Sequence, residues 1–277
     1  MAIQLGTIAP VGFEEFPPAE WLGCLRQLGC TVVQAYRNQQ RELSVPQIRD
    51  AIAAGRMPCD SLHGLFGEQF DPSAPDEPAR RAAVDAMKPD GELALALGGS
   101  LVVVHCSTIR RQGVSAEERT LRIEQLRKSV MELGAFGSGI GVRYAFENLP
   151  GYHPVGSDVA ELAGLLQQVH APNTGMCFDS GHANMVGDPV EAVRRTAGQM
   201  IYMHFSDNSG KADEHEMPTC GTIDTEAMAR AIHQIDYHST VMLEVFYSVD
   251  RLTQLIDAGC RQRLAGILAL TNGCCVR

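Results

Sequence analysis

The feature that most constrains this chain is a repeated ending. Six apolar, β-rich runs in succession each finish on a side chain able to ligate a metal or carry a proton: Cys59–His63, Leu101–His105, Val142–Glu147, Thr174–Asp179, Ile201–His204 and the run Val241–Val245 with Glu244 near its end. Two earlier runs, Ile3–Ile8 and Thr31–Ala35, bring the candidate strands to eight. Longer amphipathic stretches separate them, near Ala19–Leu28, Ser44–Ala54, Glu77–Leu97, Ala116–Phe136, Ser157–Val169, Pro189–Gly198, Thr225–Gln234 and Asp250–Leu268.

Short β-rich runs alternating with helical ones mark repeated βα units around a parallel sheet. Local start signals agree: Ser44 precedes Val45 and Pro46, Ser157 precedes Asp158, and Thr225 precedes Glu226. A doubly wound open sheet alternates in the same way. Its nucleotide-binding form, however, carries a Gly-rich turn after the first strand, and Ala9-Pro10-Val11-Gly12-Phe13 does not match one. At 277 residues the chain is close to the roughly 250 typical of a TIM barrel. The expected fold is α/β, a single (β/α)8 TIM barrel over residues 1–277 with its site at the C-terminal face of the strands. The glycines in Leu97-Gly98-Gly99-Ser100 read as a helix stop before the fourth strand, and Asn272–Arg277 is expected to fray.

Composition narrows the function classes. Apolar residues make up 45% and charged residues 20%, with no Gly/Ser linker or charge block to divide the chain. The N-terminus lacks a basic segment followed by an apolar one, and no apolar run approaches the roughly 18 residues of a membrane span, so neither export nor membrane insertion is expected. Nine cysteines, odd in number and without a CxxC pair, suit a reducing cytoplasm. A formal net charge of −10 argues against nucleic acid as a partner, because backbone-tracking affinity comes mainly from Lys and Arg.

In a parallel barrel all strand C-termini open on one mouth, so His63, His105, Glu147, Asp179, His204 and Glu244 should converge there. His182 lies three residues beyond Asp179, and Asp213 with His215 lies in the loop after the seventh strand. A single strand-end His or Glu is more often structural than functional. Several together are different: burying several carboxylates without a cation costs several kcal/mol per ion or forces protonation, whereas a divalent cation lets carboxylate and imidazole satisfy one another. His153 stands in the fifth βα loop as a substrate contact or a solvated side chain. His170, His233 and His238 fall on the opposite side and are assigned no chemistry.

These residues carry a resemblance. Ser61-Leu-His-Gly-Leu-Phe-Gly67, Val102-Val-Val-His-Cys106, Ala145-Phe-Glu-Asn-Leu-Pro150, Cys177-Phe-Asp-Ser-Gly-His-Ala-Asn184, Met203-His-Phe-Ser-Asp-Asn208, Asp213-Glu-His-Glu-Met-Pro218 with Gly221-Thr-Ile-Asp224, and Leu243-Glu244 together resemble the xylose isomerase-like TIM-barrel superfamily. That group joins sugar isomerases and epimerases to the type IV apurinic endonucleases. In the epimerase branch the resemblance implies one divalent ion, commonly manganese, on Glu147, Asp179, His204 and Glu244. In the endonuclease branch it adds His63, His105, His182, Asp213 and His215 around a three-zinc cluster. All nine positions are present, so the implied cofactor is a divalent metal, manganese or zinc, in one to three ions.

The SLHG and FDSGHAN wording, the compact length and the acidic balance resemble the isomerase-like relatives more than the repair enzymes. The implied activity is isomerisation or epimerisation of a small-molecule sugar or sugar-phosphate, with Glu147 and Glu244 moving the proton and a homo-oligomer as the assembly. Arg37, Phe66, His182 and Lys211 are the expected substrate contacts, with Phe70, Tyr152 and Phe205 covering the ring or packing the rim. An endonuclease IV-like zinc-cluster phosphodiesterase is the alternative; the polar loop Tyr36-Arg37-Asn38-Gln39-Gln40 could probe a nucleic-acid backbone. A non-catalytic metal- or sugar-binding barrel is the third reading.

Overall fold

A computed structural model describes residues 2–274 except 112 and 197, so 275–277 of the expected frayed tail lie outside the described residues. Eight parallel strands close into a barrel in chain order: β1 (Leu5–Val11), β2 (Val32–Arg37), β3 (Cys59–His63), β4 (Leu101–His105), β5 (Arg143–Glu147), β6 (Thr174–Asp179), β7 (Met200–Phe205) and β8 (Val241–Leu243). Closure comes from β1 pairing with β8 over Leu5–Thr7 and Val241–Leu243. The helices are α1 (Pro18–Gln27), α2 (Val45–Ala54), α3 (Glu77–Leu97), α4 (Ala116–Ile140), α5 (Val159–Val169), α6 (Ser180–Asn184), α7 (Pro189–Arg194), α8 (Thr225–Gln234), α9 (Val249–Asp257) and α10 (Cys260–Thr271).

Strand alternation explains the layers. Successive side chains point to opposite faces, so residues two apart stack along the barrel interior. Leu101, Val103, Ala145, Cys177, Tyr202 and Met242 form an inner cluster. The alternate strand residues, such as Val102, Val104, Phe146 and Phe178, join the larger core between sheet and helices. One step further along the inward-facing rows come His105, Glu147, Asp179, His204 and Glu244. The register sets His105 beside Glu147 and Asp179 beside His204.

Several boundaries differ from the sequence expectation. β1 runs to Val11 rather than Ile8, through Pro10, because β8 stops at Leu243 and only β2 pairs with that stretch; a proline without an N–H is tolerated where one side needs no ladder bond. The last expected helix divides into α9 and α10 at Gly259, whose φ of 73° is left-handed. An unforeseen short helix, α6, follows β6 directly, and α7 ends at Arg194, short of Gly198. Ser44 caps α2 in a capping box as expected, but Asp158 and Asp224, not Ser157 and Thr225, cap α5 and α8. Gly98 ends α3 with φ 96°. No described helix is long and apolar enough to cross a membrane.

The single tryptophan of the chain anchors the outer layer. Trp21 on α1 is fully buried and donates its indole N–H to the Tyr247 carbonyl at 2.8 Å, tying α1 to the segment after β8. Replacing it with Phe removes that donor and part of a filled volume. Trp21→Phe should lower unfolding stability by about 1–3 kcal/mol, read from denaturant midpoints by circular dichroism; an unchanged midpoint would contradict this anchoring role.

Candidate metal centre and active site

The strand ends converge as the topology requires. One ligand atom from each of Glu147, Asp179, His204 and Glu244 lies within 4.8 Å of every other, and all four residues are buried. A second group under the same limit joins His63 and His105 to Glu147. Glu147 therefore belongs to both: its Oε1 is 2.7 Å from His204 Nδ1, and its Oε2 is 3.2 Å from His105 Nε2 and 3.9 Å from His63 Nε2. On the far side, Asp213 Oδ2 lies 3.3 Å from His182 Nε2 and 3.4 Å from His215 Nε2.

The outward nitrogen of each of four histidines is held by an acceptor. His63 Nδ1 meets the Gly64 carbonyl at 3.1 Å, His182 Nδ1 the Asn148 carbonyl at 2.8 Å, and His215 Nδ1 the Glu244 carbonyl at 3.1 Å. A carbonyl can only accept, so Nδ1 carries the hydrogen and Nε2 is left facing a carboxylate. His204 has the opposite polarity: Nε2 is 3.0 Å from Gln34 Oε1, and Nδ1 faces Glu147 and, at 3.1 Å, Glu244 Oε2. Ring nitrogens tied on one side and aimed at carboxylates on the other are the arrangement of metal-ligating histidines.

Local backbone explains the placement. Gly64 follows His63 because a Cβ there would stand 2.7 Å from the Val103 carbonyl, so the chain leaves β3 flush against β4. Asp179 caps α6 by accepting from the His182 N–H at 2.7 Å, which turns the His182 ring back over the site. Asn148 clasps the β6 end from both sides, donating to the Asp179 carbonyl at 2.9 Å and accepting from its N–H at 2.8 Å.

The electrostatics show strain that a cation would relieve. Asp179 Oδ2 is buried without a hydrogen-bond partner, and Glu147 Oε2 has only the poorly aligned His105 Nε2 at 3.2 Å, a costly condition for carboxylate oxygens. Burial pushes the Asp179 carboxyl up to about 7; His182 opposes this, while Glu147 and Glu244 add to it. Burial works against an imidazolium on His204, but Cys177, Glu244 and Glu147 outweigh it and hold its pKa well above the usual range. Against the same penalty, Asp179 and Asp213 bring His182 to about 10, and Asp213 with Glu244 brings His215 to about 9. His63 moves the other way, to about 4, through burial and neighbouring His105. The donor set and its poorly satisfied oxygens thus fit one or more divalent cations.

A cavity of about 370 Å³ opens above this floor, lined by Tyr36, Phe66, His63, His105, Arg110, His153, His182 and Glu244 among others. Of the expected substrate contacts, Phe66 and His182 line it, and two others do not. Arg37 is turned away into an ion pair with Asp90, which also accepts from the Leu65 N–H at 2.8 Å. Lys211 is exposed outside the lining. The Tyr36–Gln40 loop is likewise engaged internally, with Asn38 on the Gly12 carbonyl and Gln39 on the Phe66 N–H. Phe205 is fully buried in the core, and Phe70 packs against it.

Sequence reasoning left His153 open, placed Tyr36 only in a loop that could probe a nucleic-acid backbone, and gave Gln34 and Asn148 no role. Burial and the neighbouring charges of His105, His182 and Arg110 lower the His153 pKa to about 4, so it is a neutral group at the wall. No sequence pattern separates such a loop histidine from a solvated one.

A family model described as xylose isomerase-like TIM barrel matches residues 24–262. An uncharacterised protein of Methanocaldococcus jannaschii is 26% identical over 187 residues, covering 66% of this chain and 63% of that one. An inosose isomerase of Bacillus velezensis is 25% identical over 140 residues, covering 47% and 50%. The chain thus spans about half to just under two thirds of the length of the curated relatives it matches. Among solved structures, a D-tagatose 3-epimerase-like protein superposes with a TM-score of 0.78 at 18% identity, over 98% of this chain and 99% of that one.

The histidine charges generate a prediction with a definite sign. The folded pKa values of His182 and His215, about 10 and about 9, lie above the unfolded value of about 6.5. Their stabilisation is complete below pH 6.5 and is lost as pH rises through 9 to 10. A cation needs the unprotonated nitrogen, so zinc binding should release protons and tighten by up to about tenfold per pH unit per proton displaced. Calorimetry in buffers of different ionisation enthalpy measures the release; zinc affinity that is flat from pH 6 to 8 would contradict the arrangement.

Proposed function

This chain belongs to the xylose isomerase-like TIM-barrel family, and we propose that it is a divalent-metal-dependent sugar or sugar-phosphate isomerase or epimerase. The observation that carries the reading is the set of histidines anchored outward and aimed inward at shared, partly orphaned carboxylates. Similarity to an inosose isomerase and to a D-tagatose 3-epimerase-like fold supports the same class.

Glu147, Asp179, His204 and Glu244 would hold the first ion, manganese or zinc, and His63 and His105 with Glu147 could hold another. A divalent ion there polarises a ketose carbonyl and acidifies the neighbouring C–H. Glu147 and Glu244 come from β5 and from the end of β8, on different sides of the opening. One removes the carbon-bound proton, and the other returns it to the opposite face or to the neighbouring carbon. His182 offers its ring to substrate oxygens or, with Asp213 and His215, to a third ion. Phe66 and Tyr36, with ring centroids 6.1 Å apart, form an apolar wall that keeps water from the reacting carbon. The cavity volume suits a small molecule.

Arg110 is the sole Arg or Lys lining this cavity among the described residues, with its guanidinium carbon 5.3 Å from the centre of the Tyr152 ring. A phosphorylated substrate would place its anion there. Retention of all nine ligand positions also keeps zinc-cluster phosphodiester hydrolysis as a second reading, which nicking of abasic duplex DNA in the presence of zinc would reveal.

Glu147→Gln and Glu244→Gln should each lower turnover by roughly 10²–10⁴-fold, with more metal retained than in the Asp179→Ala/His204→Ala double variant. Loss of carbon-bound deuterium from a labelled ketose measures the step, and full activity in either Gln variant would remove the acid/base assignment. Arg110→Ala should raise KM for a phosphorylated ketose by roughly 10-fold or more and leave a neutral ketose unchanged. Equal effects on both would exclude anion recognition at this residue.

A further inference from the structure

Inside the barrel, below the ligand layer, a line of polar side chains runs toward the opposite end of the strands. Gln34, Ser61 and Tyr202 are essentially inaccessible to solvent, although this interior otherwise holds Leu101, Val103, Ala145, Cys177 and Met242. The line begins at His204 Nε2, 3.0 Å from Gln34 Oε1, and continues from Gln34 Nε2 to Ser61 Oγ at 3.4 Å. Ser61 Oγ lies 2.5 Å from the Tyr202 hydroxyl and 2.6 Å from Asp60 Oδ1. Tyr202 also reaches Asp60 Oδ1 at 3.0 Å, and the Thr240 hydroxyl donates to Asp60 Oδ2 at 2.6 Å. Asp60 borders a separate cavity at the N-terminal end of the barrel, together with Arg143.

We propose that Asp60 fixes, through Ser61 and Gln34, which nitrogen of His204 is presented to the Glu147 and Glu244 carboxylates. A primary amide could show His204 either its oxygen or its NH2, so Gln34 alone decides nothing. A carboxylate can only accept, and Asp60 is surrounded by hydroxyls that can donate to it. Ser61 directs its one hydrogen to Asp60, and Tyr202 donates to Asp60 or to Ser61 Oγ. In either case Ser61 offers Gln34 only lone pairs. Gln34 must then point its NH2 down at Ser61 and its oxygen up at His204, so Nε2 carries a hydrogen. The lone pair left when His204 loses a proton sits on Nδ1, which faces Glu147 Oε1 at 2.7 Å and Glu244 Oε2 at 3.1 Å. With the amide reversed, its NH2 would require the lone pair on Nε2, and a hydrogen on Nδ1 would stand where a cation has to sit.

Gln34, Ser61 and Asp60 are thus positioning residues that touch no substrate and act through His204. This inference rests on the metal reading of the site, and its test separates the two. Zinc-loaded protein carrying ¹⁵N-histidine should show His204 with a protonated Nε2 and a metal-shifted Nδ1. Gln34→Leu and Asp60→Asn should weaken zinc binding by roughly 10–100-fold, a loss typical of outer hydrogen-bond partners.

A His204 that carries its hydrogen on Nδ1 overturns the inference, and that spectrum needs no variant to fold. Parental zinc affinity and spectrum in both Gln34→Leu and Asp60→Asn overturn it as well. If no zinc binds, the metal reading fails by itself. Metal-free protein is then read at a pH where His204 is neutral: its one hydrogen on Nε2 supports the inference, and on Nδ1 refutes it.

Discussion

Glu147, Asp179 and Glu244 lie buried beside one another where the barrel opens, and their mutual repulsion at low solvent exposure is the constraint on which the rest of the structure depends. Charges a few ångströms apart in a low dielectric interact far more strongly than at a surface. Without a cation the protein compensates only partly: Asp179 is pushed toward protonation, while His204, His182 and His215 are drawn toward the charged form. Asp179 Oδ2 still has no hydrogen-bond partner. A divalent ion held there would supply the missing positive charge and leave the histidines neutral.

The barrel makes that crowding possible. Strands of three to seven residues, closed by β1 against β8, bring positions from 63 to 244 onto one ring because every strand presents its last inward-facing residue at the same mouth. Cost and benefit are separated in space: the large apolar core between sheet and helices stabilises the cylinder, while the interior end of the strands carries the polar groups. Ion pairs outside the ring, the buried Arg122 with Asp71 at 2.8 Å and the part-buried Arg37 with Asp90, fasten the loops and helices that surround it.

The ring was legible in the sequence because an inward-facing residue at a strand end is marked twice, by the apolar run before it and by its own chemistry. His63, His105, Glu147, Asp179, His204 and Glu244 all announce themselves in this way. Arg37 did not reveal its commitment to Asp90, since the partner lies on α3 and nothing in either segment points to the other. Lys211 looked available because it follows the β7 end, but the path of the loop leaves it outside the cavity lining. Gln34, Ser61 and Tyr202 read as ordinary strand residues; period-two alternation says which face they share but not that the face meets a ligand through them. The short α6 escaped notice because five residues carry too little periodicity, and its cap, Asp179, was already assigned to the site.

The most direct test of the account is anomalous diffraction at the manganese and zinc absorption edges, from crystals of protein purified without chelators. The account predicts a peak among Glu147, Asp179, Glu244 and Nδ1 of His204, with ligand distances of roughly 2.0–2.3 Å. Active crystals with no peak among those four residues would contradict it.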